Sequence, residues 1–195
     1  MSVQFCLALL ALSSLAAAAD PDCEELTKTL EDRSQVHGKW IYHVGTTSTE
    51  EGLKELKTIT NSWLELSPIA GSEDLTLTWA DKVGEKCVHG TVNSTYTVNG
   101  TTVTFTFNIT SHEHTGINLK TCPDCMVWSD HAESLSTTGE TQKSKNLFLF
   151  TKSGKLDDAH LEEFKKQAAC LGFAPDFHFG GHTDLCPDEK EAATD

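Results

Sequence analysis

From Lys39 to Thr151 the sequence runs in short stretches rich in Thr, Val, Phe, Trp and Tyr, in which apolar and polar residues alternate. Clusters of turn residues separate the stretches. A period of two is the spacing of side chains along one face of a β-strand, so this region can be strands and cannot be a helical bundle. Eight strands are expected, over Trp40–Val44, Thr58–Leu66, Asp74–Ala80, Lys86–Val98, Thr101–Thr110, Gly116–Thr121, Met126–Ser129 and Asn146–Lys152. Ser67-Pro68 closes the second, and Asn99-Gly100 is a hairpin signal between the fourth and fifth. An antiparallel run with mostly short links predicts an up-and-down barrel or a sandwich.

The period changes after the strands. Leu161, Phe164, Ala168 and Leu171 recur every three or four residues, with Glu162 and Glu163 early and Lys165 and Lys166 late. That pattern predicts an amphipathic helix over Leu156–Leu171 whose charges suit its dipole, with Gly172 placed to end it. The tail after Phe177 reads as irregular. A chain of 195 residues is long enough to bury one sizeable core.

Charge excludes several classes of partner. With 15 Lys+Arg against 29 Asp+Glu, the net charge is -14, the wrong sign for nucleic acid or for electrostatic attachment to anionic lipid. Residues 1–19, MSVQFCLALLALSSLAAAA, read as a signal peptide. The apolar run Phe5–Leu15 is too short to span a bilayer, and Ala17-Ala18-Ala19 offers cleavage before Asp20. A secreted extracellular protein without stable membrane insertion is expected.

Cleavage would remove Cys6 and leave Cys23, Cys87, Cys122, Cys125, Cys170 and Cys186, an even set that suggests three disulfides in any of fifteen connectivities. Three sequons agree with secretion: Asn93, Asn99 and Asn108. Asn93 and Asn108 fall on the polar face of their strands and Asn99 at a hairpin tip, so all three can carry a glycan.

Catalytic chemistry is hard to find. No Ser/His/Asp signature, phosphate loop or carboxylate pair stands out, and no enzyme is expected. Cys122-Pro123-Asp124-Cys125 has redox spacing, but a strand follows it and Asp124 opposes a thiolate, so a structural turn disulfide is the reading. His112 and His114, with His178 and His182 in the tail, lack the converging set that zinc requires and are read as solvated, with no metal or cofactor. Aromatic residues carry the remaining signal. Trp40 is assigned to a barrel floor. Tyr42, Trp63, Trp79, Tyr96, Phe105, Phe107 and Trp128 are the candidate ligand-binding residues, because an eight-stranded barrel can hold one small ligand among inward aromatics.

Particular motifs sharpen this. Gly38-Lys39-Trp40 resembles the Gly-x-Trp signature of lipocalins. Cys87-Val88-His89-Gly90-Thr91-Val92-Asn93, preceded by Leu66-Ser67-Pro68 and Glu73-Asp74, resembles the cysteine-bearing central strand of the α1-acid glycoprotein (orosomucoid) group and the turn before it. Glu162-Glu163-Phe164 with Ala169-Cys170-Leu171 resembles the cysteine-ended helix of α1-acid glycoprotein and apolipoprotein M, and Cys186-Pro187 matches that group's last cysteine. The fish saxitoxin/tetrodotoxin-binding and tributyltin-binding proteins are the nearest members by this resemblance. Thr121-Cys122-Pro123-Asp124-Cys125 replaces the usual Thr-Asp-Tyr-like turn, and Lys152 stands where lipocalins often place an Arg over the Trp.

The resemblance implies an all-β fold: an eight-stranded antiparallel up-and-down lipocalin barrel with one C-terminal α-helix. The divisions are a signal peptide (1–19), an N-terminal extension (20–38), the barrel (39–152), a packed helix (156–171) and a tail (172–195). It implies the pairs Cys23–Cys170 and Cys87–Cys186, leaving Cys122 with Cys125. No thiol then remains for the kind of lipocalin enzyme that uses one. The function implied is that of a monomeric plasma carrier that binds or sequesters a small hydrophobic or amphipathic ligand. Lipids, steroids and xenobiotics are in that class, as are tributyltin and the guanidinium toxins, which an aromatic wall would suit through cation–π contact. The alternative is an acute-phase glycoprotein acting through its surface as an immunomodulatory interaction protein.

Overall fold

The computed structural model describes residues 21–188 except 99, 108–109 and 136–140, and leaves the side chains of Pro21, Thr106, Phe107 and Thr110 outside that description. The expected signal peptide and the sequons at Asn99 and Asn108 lie outside the described residues. Eight antiparallel strands form the barrel: β1 (Gly38–Thr47), β2 (Ile59–Pro68), β3 (Leu75–Val83), β4 (Lys86–Thr97), β5 (Gly100–Phe107), β6 (Thr110–Leu119), β7 (Cys125–Leu135) and β8 (Thr141–Thr151). Each pairs with the next, β8 pairs with β1, and β1 pairs with β2, so the sheet closes on itself. A barrel resolves the barrel-or-sandwich alternative and removes sheet edges.

Several bounds differ from the alternation. The expected Thr101–Thr110 strand is divided, with Phe107 paired to Thr110 across the β5–β6 hairpin. β6, β7 and β8 extend well beyond the short runs expected for them. Their distal halves hold His112, His114, Asp130, Ser134 and Gln142, polar residues on the inner face, so no hydrophobic alternation marks them.

Closure between β1 and β2 is partial. They pair only from Gly38–Ile41 to Leu66–Trp63. Beyond that point the tail enters the seam as a short strand, β9 (His178–Phe179), which pairs with Val44 and Gly45 of β1. The Gly180 N–H donates to the His43 carbonyl at 3.0 Å, and the Gly181 N–H donates to the Thr60 carbonyl of β2 at 2.8 Å. The tail read as irregular from sequence is therefore part of the wall.

Two apolar layers lie on opposite faces of the sheet. Val44, Leu119, Val127, Leu147 and Leu149 point outward and are covered by Phe164 and Ala168 of α3 (Asp158–Cys170). The helix starts two residues later than expected, because Asp157 caps it by accepting from the His160 N–H, and Gly172, at φ +80°, terminates it as expected. Trp40, Tyr42, Leu75, Met126 and Phe150 point inward, with Leu64, Leu66, Trp128 and Phe148 against them.

The closed end is sealed from the N-terminal extension. A 3-10 turn, Arg33–Val36, brings Val36 into the inner cluster, and the Trp40 indole donates to the Val36 carbonyl at 2.7 Å. The Lys152 ammonium lies 5.2 Å from the Trp40 ring centroid. The Arg33 guanidinium lies 3.5 Å from the Tyr96 centroid and donates to Thr101 Oγ1. Two short helices escape the sequence reading. One is α1 (Pro21–Leu26), and the other is α2 (Glu50–Leu56) in the β1–β2 connection, capped by Thr49. Leu56 of α2 packs against the inner cluster, and the helix, joining the end of β1 to the start of β2, lies at the end of the barrel opposite Trp40 and Val36.

Three disulfides join Cys23 to Cys170, Cys87 to Cys186 and Cys122 to Cys125. The first ties α1 to the end of α3, the second ties the tail to β4, and the third closes the β6–β7 turn.

Candidate functional site

Strand register assigns each residue to the inner or outer face. Trp40 is inward and opposes Leu64, Leu64 opposes Trp79, and Trp79 opposes Gly90. Continuing round the barrel, Val103 opposes His114, His114 opposes Ala132, and Trp128 opposes Phe148. These positions share the inner face.

An aromatic arc crosses that face. Gly90 of β4 has no side chain, and a Cβ there would overlap the indole of Trp79. The indole therefore lies over β4 and meets Phe105 of β5 edge-on, with ring centroids 5.0 Å apart. Phe105 in turn meets the His114 imidazole of β6 edge-on at 5.3 Å. Trp128 and Phe148 continue the wall on β7 and β8. Trp79, Phe105, Trp128 and Phe148 keep intermediate exposure, while Val127, Leu147 and Leu149 on the outer face are fully covered by α3. Solvent thus reaches the inner aromatic surface.

Polar groups interrupt the arc at defined points. Asp130 is 3% exposed, and its carboxylate accepts from Trp128 Nε1 at 2.7 Å, Asn146 Nδ2 at 2.6 Å and His114 Nδ1 at 3.1 Å. His112 Nδ1 and Ser134 Oγ are 2.8 Å apart. Asp81 opposes Ser62, and burial raises its carboxyl above the ordinary range while the Ser62 hydrogen bond pulls it partly back. Gly116 opposes Asp130, and a Cβ there would strike the Ser129 carbonyl oxygen.

The cations sit at the two ends. Arg33 and Lys152 seal the closed end, and Lys86 is at the exposed β3–β4 hairpin. Between them, among the described strand residues, the inward acidic groups are Asp81 and Asp130, and no inward position is Lys or Arg.

The candidate ligand-binding residues separate into three groups. Trp79, Phe105 and Trp128 lie together on the accessible inner wall. Tyr42 is inward and buried, but its hydroxyl donates to the His178 carbonyl at 2.9 Å, so the tail already engages it. Burial pushes its phenol well above the ordinary range. Tyr96 is on the inner face at the closed end, 41% exposed and covered by Arg33. The Phe107 side chain lies outside the described residues.

Trp63 is on the outer face, which corrects its assignment to the pocket wall. It opposes Ile41 and Ala80, is 2% exposed, and donates through Nε1 to the Cys186 carbonyl at 2.7 Å, beneath the tail. The histidines also depart from the solvated reading. His112 and His114 face inward, and the His178 imidazole Nε2 lies 2.7 Å from the Ile59 carbonyl in the seam. His182 stacks on His43 with centroids 4.5 Å apart. Among the described residues no group of three or more His, Cys, Asp or Glu is arranged to hold a metal ion. Asn93 is exposed on the outer face of β4, where its Oδ1 accepts from Thr76 Oγ1.

No protein-family model and no curated protein matches the sequence. Solved structures do. The siderocalin Ex-FABP, described as functioning through dual ligand specificities, superposes with a TM-score of 0.58 at 16% identity, covering 79% of this chain and 99% of its own. A dog lipocalin allergen gives 0.56 at 16% identity over 78% and 98%. The odorant-binding protein OBP1 gives 0.60 at 17% identity over 82% and 99%. The chain has the lipocalin fold: a closed eight-stranded antiparallel barrel with a C-terminal helix.

Proposed function

We propose that this protein is a secreted, N-glycosylated carrier that binds or sequesters one small hydrophobic or amphipathic molecule inside its barrel. The observation that carries this reading is the solvent-reachable arc of Trp79, Phe105, Trp128 and Phe148, bounded by a sealed end and an open one. Apolar surface that remains exposed inside a closed wall gains from burial by a ligand, and the scattered polar groups fix orientation. The siderocalin and odorant-binding neighbours support ligand binding as the class of function. Disulfides joining distant segments support an oxidising, extracellular destination. Binding needs no catalytic group or cofactor, and a monomer suffices.

Inner charge narrows the ligand. A cationic or neutral head meets carboxylates and aromatic faces, and an anionic head meets no inward Lys or Arg between the ends among the described residues. Tributyltin and the guanidinium toxins remain within that class. The test is titration of intrinsic Trp fluorescence in the mature protein with a fatty acid, a steroid, tributyltin and tetrodotoxin. Saturable one-to-one quenching is expected for one class, weakened by Trp79→Phe and Trp128→Phe but not by Trp63→Phe. No response from the folded protein to any ligand would overturn the carrier reading and favour the acute-phase, surface-acting alternative.

A further inference from the structure

We infer that His114 is the ligand-orienting residue of this barrel, and that it selects an apolar ring-sized molecule carrying an O–H or N–H donor over one carrying a carboxylate. This rests on the carrier reading. Asp130 is the origin of the arrangement. Its carboxylate is fixed from two sides by two donors, the Trp128 indole and the Asn146 amide. Trp128 is itself part of the wall, so the carboxylate cannot turn without moving the aromatic surface.

A carboxylate accepts and does not donate, so the His114 nitrogen facing it, Nδ1, is the one that carries hydrogen. In the neutral imidazole the opposite nitrogen, Nε2, is then an acceptor. Phe105 holds the ring edge-on from the neighbouring strand. His114 Nε2 has no hydrogen-bond partner among the described residues, and it is not one of the enclosed polar atoms that lack one. The side chain keeps 24% exposure on the inner face. An acceptor is therefore presented to whatever occupies the interior, on a rigid mount and among aromatic rings.

The same surroundings disfavour an anion. Asp130 stands directly behind His114 and Asp81 lies across the wall on β3, and among the described strand residues the inward Lys and Arg are confined to the two ends. A donor group on the ligand gains the His114 acceptor. A carboxylate would lose its hydration without gaining a cation.

Three naphthalenes that differ in one substituent test this by calorimetry on the mature, disulfide-bonded protein: 2-naphthol, 2-methoxynaphthalene and 2-naphthoate. The expected order is naphthol tightest, by roughly tenfold over the methoxy compound, with naphthoate weakest. His114→Phe should bring naphthol and methoxynaphthalene to within about twofold of each other, whatever melting temperature is lost by removing one donor from the buried Asp130 carboxylate.

Nitrogen NMR of the wild-type histidines supplies a second measurement that needs no variant. It should show the Nδ1-protonated tautomer for His114 and a shift of Nε2 when naphthol binds. Equal affinity for naphthol and methoxynaphthalene, naphthoate binding tightest, a preference that survives His114→Phe, or an unmoved Nε2 would each overturn the inference and leave the carrier reading standing. Failure of all three naphthalenes to bind would overturn the inference, and the carrier reading would then be decided by the fluorescence titration alone.

Discussion

Single atoms decide where the aromatic surface of this barrel lies. Trp79 can cross β4 and touch Phe105 because residue 90 has no Cβ, and an alanine there would meet the indole ring. Gly90→Ala is therefore expected to turn Trp79 out of the arc. Affinity for an interior ligand should fall by about tenfold or more, since one aromatic wall contact is worth on the order of 1 kcal/mol beyond its buried area. Titration of Trp fluorescence in the variant checks this, and unchanged affinity with unchanged Trp79 quenching would refute it. His114 shows the same dependence on small things. His112-Glu113-His114 gave no sign of its orientation, because on β6 the apolar residues are Ile117 and Leu119, which face α3, while the inner positions are His112, His114, Gly116 and Asn118. Hydrophobic alternation on that strand reports the outer face.

Among the elements, the tail does more than its sequence suggests. β9 enters the seam where β1 and β2 part, and three lysines hold the segment around it: Lys57, at the end of α2, on Asp176, and Lys82 and Lys39, on barrel strands, on Asp184 and Asp188. Exposed pairs of this kind contribute little individually. The larger constraint is Cys87–Cys186, which spans 99 residues and is worth roughly 4–5 kcal/mol on the chain-entropy model. Cys122–Cys125, with a separation of 3, is worth much less on the same model, roughly 2 kcal/mol. Replacing Cys87 and Cys186 by Ser is expected to speed hydrogen exchange at the Gly180 and Gly181 amides and to expose Trp63, while the β6–β7 amides stay protected. Equal protection of the tail in the variant would show that β9 docks without its tether. The element pattern also explains Trp63. Its alternation was correct for a strand, but the outer face of β2 is covered by the tail, so both faces carry large apolar residues and the pattern does not say which is inside.

At the scale of the whole molecule, stability should respond to pH through two groups of opposite sign. Burial, with His182 stacked alongside, lowers His43 from 6.5 to about 4. The unfolded chain therefore binds that proton more readily, and His43 contributes stability that is complete above pH 6.5 and lost as pH falls toward 4. Asp81 is raised by burial, so it costs stability at neutral pH, and the cost fades as acid protonates it. In chemical unfolding, His43→Phe should lose less stability than wild type between pH 6.5 and 4. Asp81→Asn should gain stability at pH 7, with the gain shrinking in acid. The reverse slopes would refute the assignments.

The strand class, the sequential order of the eight strands and the C-terminal helix with its Gly172 stop are legible in the sequence alone. These are written locally, in periods of two and of three to four and in turn and cap residues, so they can be read without knowing what lies opposite. The disulfide partners came from resemblance, since spacing leaves fifteen connectivities open. Which face of each strand is the inside follows from barrel closure and from what covers the outer wall. A barrel wall overlaid by α3 and by a returning tail is apolar on both faces, and its interior carries Asp81, His112, His114, Asp130 and Asn146 among its aromatics. Burial on the outside and polar groups on the inside invert the usual rule that the apolar face is the core, and that inversion exists only once the sheet has closed.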